Sequence, residues 1–121
     1  MEWSIVAGRP VYLQLIEQLE LAIVVGEYPP GEKIPGVRDL AAQAQVNPNT
    51  MQRALAELER TGLVYTQRTA GRFVTEDAAV IDSAKQELAH QQVGAFLHRM
   101  ERMGYDREQA AQLVRSWKEE A

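Results

Sequence analysis

The feature that most constrains this chain is a change of periodicity at Gly62. Upstream of it, apolar residues recur every three or four positions, which predicts helices with one buried face. Downstream of it, residues 63–68 and 72–75 alternate in polarity, which predicts two short strands. Residues 69–71 connect them and end on Gly71, which favours a tight hairpin. Any fold for this chain must therefore join a helical segment directly to a two-stranded hairpin.

Three helices are predicted before the hairpin. The first covers residues 10–26 and is amphipathic. Its polar residues, expected on the side away from the core, are Gln14, Glu17, Gln18 and Glu20. A connector rich in Pro and Gly follows, and residues 37–45 then form a short second helix. The third helix runs from Pro48 to about Thr61, after a break of only three residues.

The start of the third helix is specified by its own residues. Asn47 is a good N-cap, because its side-chain oxygen can accept an unpaired backbone N–H, and Pro48 suits the first helical position. The apolar residues of this helix are expected to face the core. The polar residues of its first turns are expected to point outward, and these are Asn49, Thr50, Gln52 and Arg53. This helix end is also expected to present free backbone N–H groups to a phosphate.

A short helix, a tight turn, a longer helix and a hairpin follow one another in a winged helix-turn-helix. In that arrangement the second helix of the pair enters the major groove of DNA, about 12 Å wide, with its N-terminal residues at the base edges. Asn and Gln can pair with adenine and Arg with guanine, while Arg68 and Arg72 of the hairpin could reach a neighbouring phosphate. The same architecture also builds protein-interaction modules that never touch DNA. A winged-helix interaction module is therefore the alternative.

The distribution of charge is compatible with DNA binding without requiring it. The chain has a net charge of −4, yet residues 33–72 hold six Lys or Arg and three Asp or Glu. A basic centre inside an acidic protein suits a local phosphate-binding face. However, six basic residues in a segment of 40 residues are also close to an average content.

Other classes of function find no support in the residues. The absence of cysteine removes disulfides, thiolate metal sites and a cysteine nucleophile, and no phosphate loop or nucleophile elbow occurs, so an enzyme is not expected. His90 and His98 lack the clustered ligands of a metal site, so neither a metal nor a cofactor is expected. No signal peptide and no apolar run of roughly 20 residues is found, which predicts a cytoplasmic protein without a membrane partner.

The C-terminal region predicts two further helices. The first covers residues 77–103, and Asp106 can cap the second, whose inner face would carry Ala110, Leu113, Val114 and Trp117. Two such helices cannot bury their apolar faces alone, so we expect a homodimer, with packing onto the first helix as the alternative. The expected dimer interface comprises Ile81, Leu88, Phe96, Leu97, Met100, Leu113, Val114 and Trp117. A small-molecule effector could bind at a dimer groove, although no residue identifies one.

The run PPGEKIPGVRDLAAQAQVNPNTMQRALAELERTGLVYTQRTAGRFV strongly resembles the DNA-binding domain of GntR-family bacterial transcription regulators. The matching positions include Pro30-Gly31, Ile34-Pro35, Arg38, Leu40-Ala41, Val46, Thr50, Ala54-Leu55, Leu58, Gly62-Leu63, Gly71 and Phe73-Val74. The short tail and the Asn47-Pro48-Asn49-Thr50 segment are similar to the YtrA group. Members of that group have two C-terminal helices in place of a large effector domain.

The resemblance implies a mostly α fold with a small β-hairpin. It implies a winged helix-turn-helix DNA-binding domain over residues 1–75 and a short two-helix dimerisation region over residues 76–121. The implied function is a homodimeric, sequence-specific transcription regulator, a repressor, on a palindromic double-stranded DNA operator. The residues expected to contact DNA are Arg38, Asn47, Asn49, Thr50, Gln52, Arg53, Arg68, Thr69, Gly71 and Arg72.

Two positions depart from the family pattern. Gly36 stands where Ser is usual, so the second helix has a weaker cap. Residues 69–72, Thr-Ala-Gly-Arg, stand where Gly-x-Gly-Thr is usual. The first glycine of the pattern is therefore missing from the hairpin loop, which is the tip of the wing. Arg72 adds a positive charge there that could make its own contact with DNA.

Overall fold

The computed structural model describes residues 1–120, which form five helices and one hairpin. The elements are, in chain order, α1 (Val11–Val24), α2 (Val37–Ala44), α3 (Pro48–Arg60), β1 (Val64–Gln67), β2 (Gly71–Val74), α4 (Ala78–Arg102) and α5 (Arg107–Ser116). The predicted mostly α fold with a small hairpin is confirmed. The chain divides into two compact units, residues 1–86 and the residues from 87 onward. The functional division predicted between residues 75 and 76 stays a prediction.

The first unit is built around one apolar core. The amphipathic helices α1, α2 and α3 turn their apolar faces inward, and the hairpin adds Leu63, Val64 and Val74. The largest fully buried side chains of the helices are Leu15, Leu19, Ile23, Leu40, Met51, Leu55 and Leu58. Since protein interiors are close-packed, this core holds α3 and the hairpin in fixed positions relative to each other.

The turn between α2 and α3 has an unusual backbone at Gln45. This residue has φ +58°, and in the described chain it is the only non-glycine with a positive φ. The N–H groups of Gln45 and Val46 donate to the carbonyls of Ala42 and Ala41, which closes the end of α2. A left-handed residue at this point ends α2 and turns the chain, so that α3 begins at Pro48.

In the hairpin, β1 and β2 are antiparallel, and Gln67 pairs with Gly71. The loop is therefore residues 68–70, and the predicted loop at 69–71 is wrong by one residue. Gly71 begins β2 because its φ of +108° is needed there, and a Cβ at this position would lie 2.8 Å from Cε of Lys33.

The segment before α2 borders the other side of β2. The N–H of Gly31 donates to the carbonyl of Val74 at 2.9 Å, and the N–H of Val74 donates to the carbonyl of Glu32 at 2.9 Å. The N–H of Ile34 donates to the carbonyl of Arg72 at 3.0 Å. The predicted connector thus pairs with β2 along the edge that faces away from β1.

The residues that precede α1 are held by two glutamines of that helix. The Gln14 amide accepts the N–H of Val6 at 2.8 Å and donates to the carbonyls of Val6 and Arg9 at 2.9 and 3.0 Å. The Gln18 amide exchanges two similar bonds with Ser4, of 2.9 and 2.7 Å. Gln14 is only 2% exposed, so its predicted position on the solvent side is wrong. The backbone before α1, which turns at residues 7–9, satisfies the polar atoms of the Gln14 amide.

The second unit contains the C-terminal part of α4 and all of α5. Asp106 caps α5, because its side chain accepts the N–H of Gln109 at 2.8 Å and the Gln109 side chain accepts the N–H of Asp106 at 2.9 Å. This capping box confirms the predicted helix start. Ala110 is buried, but Val114 is 60% exposed and Trp117 is 72% exposed. Within residues 1–120, no helix combines the length and the apolar character needed to cross a membrane.

Candidate nucleic-acid interface

The outer face of α3 is polar along its first turns. Asn49, Gln52 and Arg53 are exposed, and Thr50 is half-buried. Positions three and four apart lie on one side of a helix, so the three exposed residues share a face. The opposite face is anchored in the core by Met51, among others. This polar face is therefore rigidly held and open to a ligand.

The backbone at the start of α3 offers no free donor at its first positions. Pro48 has no N–H, and the N–H of Asn49 donates to Oδ1 of Asn47 at 2.8 Å. The N–H groups of Thr50 and Met51 donate to the Asn47 carbonyl at 3.0 and 3.1 Å. The expectation of free N–H groups for a phosphate is wrong, because the cap that specifies the helix start uses them. Side chains must supply the contacts at this end.

Arg53 is held by an aromatic ring of α1. Its guanidinium carbon lies 3.6 Å from the centroid of the Tyr12 ring, which is a cation–π contact. Both residues line an open groove of about 380 Å³ between α1 and α3. Stacking leaves the N–H donors of a guanidinium free around its edge. Arg53 is thus oriented without losing its capacity to bind.

Glu59 joins α3 to the hairpin. Its Oε1 accepts from Oγ1 of Thr66 at 2.7 Å and from Nε of Arg72 at 2.6 Å. Nη2 of Arg72 also donates to Oε1 of Gln52 at 3.2 Å. The hydrogen bonds from Thr66 and Arg72 hold the pKa of the Glu59 carboxyl below its ordinary value of 4.5. We call Glu59, Arg72 and Gln52 the helix–wing network.

The other predicted DNA contacts lie on exposed parts of the first unit. Arg38 is on the first turn of α2, and Arg68 and Thr69 are in the hairpin loop. None of these three side chains forms a hydrogen bond or ion pair with any residue that the structure describes. By contrast, Arg60 is paired with Glu57, and Arg72 with Glu59. The unpaired cations include Arg38 and Arg68.

The residues predicted to form a dimer interface lie on α4 and α5. Ile81 is half-buried and packs against the core of the first unit. Half-buried residues of α4 beyond it are Leu88, Phe96, Leu97 and Met100, and exposed apolar residues of α5 and its C-terminal cap are Leu113, Val114 and Trp117. No described residue of α4 is fully buried. His90 and His98 are exposed on the same helix.

The family model for bacterial regulatory proteins of the gntR family matches residues 11–74. The uncharacterized HTH-type transcriptional regulator YhcF of Bacillus subtilis is 36% identical over 113 residues, which are 93% of each chain. The HTH-type transcriptional repressor YtrA of the same organism is 40% identical over 72 residues, which are 60% of this chain and 55% of YtrA. The sequence similarity to YhcF thus extends over both compact units.

Solved structures agree with these matches. A GntR family transcriptional regulator from Listeria monocytogenes has a TM-score of 0.83 and 35% identity, over 94% of this chain and 100% of its own. The DNA-binding domain of AraR in complex with operator ORX1 has a TM-score of 0.54 and 27% identity, over 62% of this chain and 99% of its own. The chain is therefore a YtrA-like member of the GntR family of bacterial regulatory proteins.

Proposed function

We propose that this regulator binds operator DNA as a homodimer and represses the genes that the operator controls. The observation that carries the proposal is the exposed polar face of α3, formed by Asn49, Gln52 and Arg53 and held beside the hairpin. Among its relatives, AraR is bound to an operator in a solved complex, and YtrA is a transcriptional repressor. A regulator of bacterial genes acts in the cytoplasm, where the DNA lies.

In the proposed complex, α3 lies in the major groove and its polar face meets the base edges. Asn47 and Thr50 contact the DNA beside the major groove and hold the start of α3 there. Arg38 and Arg68 contact phosphates, which supply affinity that falls steeply with salt concentration. Thr69 and Gly71 let the hairpin loop approach the sugar-phosphate backbone of the DNA beside the groove.

The homodimer is proposed from the apolar residues of the second unit. Val114 and Trp117 are more than half exposed, although both are apolar. Exposed apolar surface of this kind marks interaction sites, and a second copy provides an identical surface. A two-fold dimer presents two copies of α3 to two half-sites of an inverted repeat, about one helical turn apart.

The DNA proposal is tested by selecting the full-length protein against a randomised duplex pool at about 0.15 M salt. We expect an enriched inverted repeat, and we expect Arg53→Ala to weaken binding to it more than binding to unrelated DNA. Arg60→Ala is the matched control, because Arg60 lies on the same helix but is paired with Glu57. Binding without an enriched motif would contradict sequence-specific recognition, and absence of DNA binding would support the interaction module.

The dimer proposal is tested by analytical ultracentrifugation. The wild-type protein should sediment at twice the chain mass of 13.6 kDa. Val114→Glu places a charge on the apolar surface and should yield monomers. Gln112→Glu adds the same charge on α5 at a polar position and should leave the dimer intact. A dimer that survives Val114→Glu would exclude this part of α5 from the interface.

A further inference from the structure

We propose that Arg72 is a positioning residue, which turns the amide of Gln52 so that this residue selects guanine over adenine in the operator. The inference rests on the proposed function, because it concerns how the same surface reads DNA. It assigns to the wing arginine a role in specificity that is exerted through α3. It does not require Arg72 to touch DNA.

The geometry of the helix–wing network limits what Arg72 can do. The Arg72 side chain is only 20% exposed, and Nε lies 2.6 Å from Oε1 of Glu59. Thr66, which faces Arg72 across the hairpin, donates to the same carboxylate oxygen at 2.7 Å. The guanidinium is therefore held from one side by Glu59, while Nη2 reaches Gln52 at 3.2 Å. In the described chain these contacts leave only Nη1 without a partner, and extending the side chain outward to a phosphate would break both of them.

The chemistry of the two side chains then determines how Gln52 is oriented. A guanidinium has donors and no acceptor, so only the oxygen of the Gln52 amide can bond to Arg72. Oε1 consequently points to the hairpin, and both hydrogens of Nε2 remain for a ligand. Because Glu59 fixes Arg72, the amide cannot flip without breaking the bond to Arg72.

The orientation of the amide favours one type of base edge. In the major groove guanine presents two acceptors, N7 and O6, whereas adenine presents the acceptor N7 and an N–H donor. A glutamine that pairs with adenine must direct both its oxygen and its nitrogen at the base. The oxygen of Gln52 is engaged with Arg72, so its outward nitrogen matches the two acceptors of guanine. Gln52 with Arg72 should therefore read guanine, and Gln52 without Arg72 should read adenine.

The test measures the affinity of full-length protein for the selected operator and its single-base-pair variants by fluorescence anisotropy, at several salt concentrations. Arg72→Met keeps an unbranched side chain as far as the Nε position and removes all the donors of the guanidinium. We expect it to shift the preference from guanine to adenine by roughly tenfold at one position in each half-site. In a Gln52→Ala background, Arg72→Met should cause no further change at that position.

Salt dependence separates positioning from a phosphate contact. Loss of one phosphate contact lowers the slope of log affinity against log salt by about 0.9. We expect this decrease for Arg68→Met, the matched control in the same hairpin, together with an equal loss for all bases. The double variant Glu59→Gln/Arg72→Met leaves no unpaired carboxylate, so it tests the role of Arg72 if Arg72→Met alone unfolds. It should change the base preference and keep the wild-type slope.

Two results would overturn the inference. An unchanged base preference in both Arg72 variants would show that Arg72 does not orient Gln52. A uniform loss of affinity with a lower salt slope would make Arg72 a phosphate contact. A wild-type protein that selects no motif would refute the proposed function itself, and this failure is recognised before any variant is measured.

Discussion

The guanidinium carbon of Arg53 lies 3.6 Å from the centroid of the Tyr12 ring, so α1 orients a side chain of α3. Exposed cation–π contacts contribute about 0.5–1 kcal/mol, and Tyr12→Leu should therefore weaken operator binding about two- to fivefold. Tyr12→Phe keeps the ring and should bind like the wild type. Anisotropy titrations on the selected operator measure both variants. An equal loss in the two variants would indicate that the hydroxyl of Tyr12, and not its ring, matters for binding.

The Glu59 carboxylate should make the stability of the fold depend on pH. Its pKa in the folded chain lies below the ordinary 4.5, first because of Thr66 and then because of Arg72. Its stabilising effect is thus complete above the pKa of the unfolded chain and is lost as the pH falls through the folded pKa. The difference in unfolding free energy between wild type and Glu59→Gln should shrink in acid, and urea titrations at several pH values measure it.

A control for the pH effect is available on the neighbouring strand. Thr66→Val removes the larger of the two hydrogen-bonding causes, and it should reduce the pH dependence while leaving the pair with Arg72 in place. A difference between wild type and Glu59→Gln that stays constant from neutral to acid pH would contradict the assignment.

Gln14→Leu should destabilise the protein by about 1–3 kcal/mol, because the variant removes the three hydrogen bonds by which the buried Gln14 amide holds the backbone of Val6 and Arg9. Gln18→Leu removes equivalent bonds to Ser4 at a more exposed position, where water can replace them. Gln18→Leu should therefore lower the free energy of unfolding by less than Gln14→Leu does. The midpoint and slope of urea denaturation give the free energy of unfolding of both variants. Equal losses of this free energy would contradict the larger effect expected from the buried Gln14 amide.

Two glycine substitutions should have opposite effects on stability. Gly71→Ala forces a Cβ onto a residue with φ +108°, at 2.8 Å from Cε of Lys33, and should destabilise by about 1–3 kcal/mol. Gly36→Ser places a capping hydroxyl at the start of α2, where no atom lies within 4 Å of the new Cβ. It should stabilise by roughly a few tenths of a kcal/mol. Thermal unfolding compares the two, and a stabilising Gly71→Ala would be the contradictory outcome.

The parts of the fold that local chemistry determines could be predicted from the sequence. Asn47 with Pro48 and Asp106 with Gln109 each form a complete start signal within four residues, so α3 and α5 begin where they were predicted. Gly62 has φ +81° at the end of α3, as its position after the helix predicted. These features need no knowledge of distant residues.

The features that were missed depend on residues far apart in the chain or on a rare backbone. The polarity of Gln14 predicts a solvent-facing position, but the residue is buried and its amide bonds to Val6, eight residues away. Gln45 adopts a left-handed conformation that is more typical of Gly or Asn. A glutamine at this position therefore does not predict the turn. The pairing of Arg72 with Glu59 spans 13 residues and requires the hairpin to fold back onto α3. The bases that the polar face of α3 reads stay predictions, since they are properties of a complex.

The pairing of residues 31–34 with β2 has a consequence for the solubility of the wing. A bare two-stranded hairpin has two strand edges whose free N–H and C=O groups can recruit strands from other molecules. Here the edge of β2 is already occupied by Gly31, Glu32 and Ile34. The other edge strand, β1, has only four residues, and a short edge is a poor template for intermolecular sheets. The wing can therefore project from the protein without seeding aggregation.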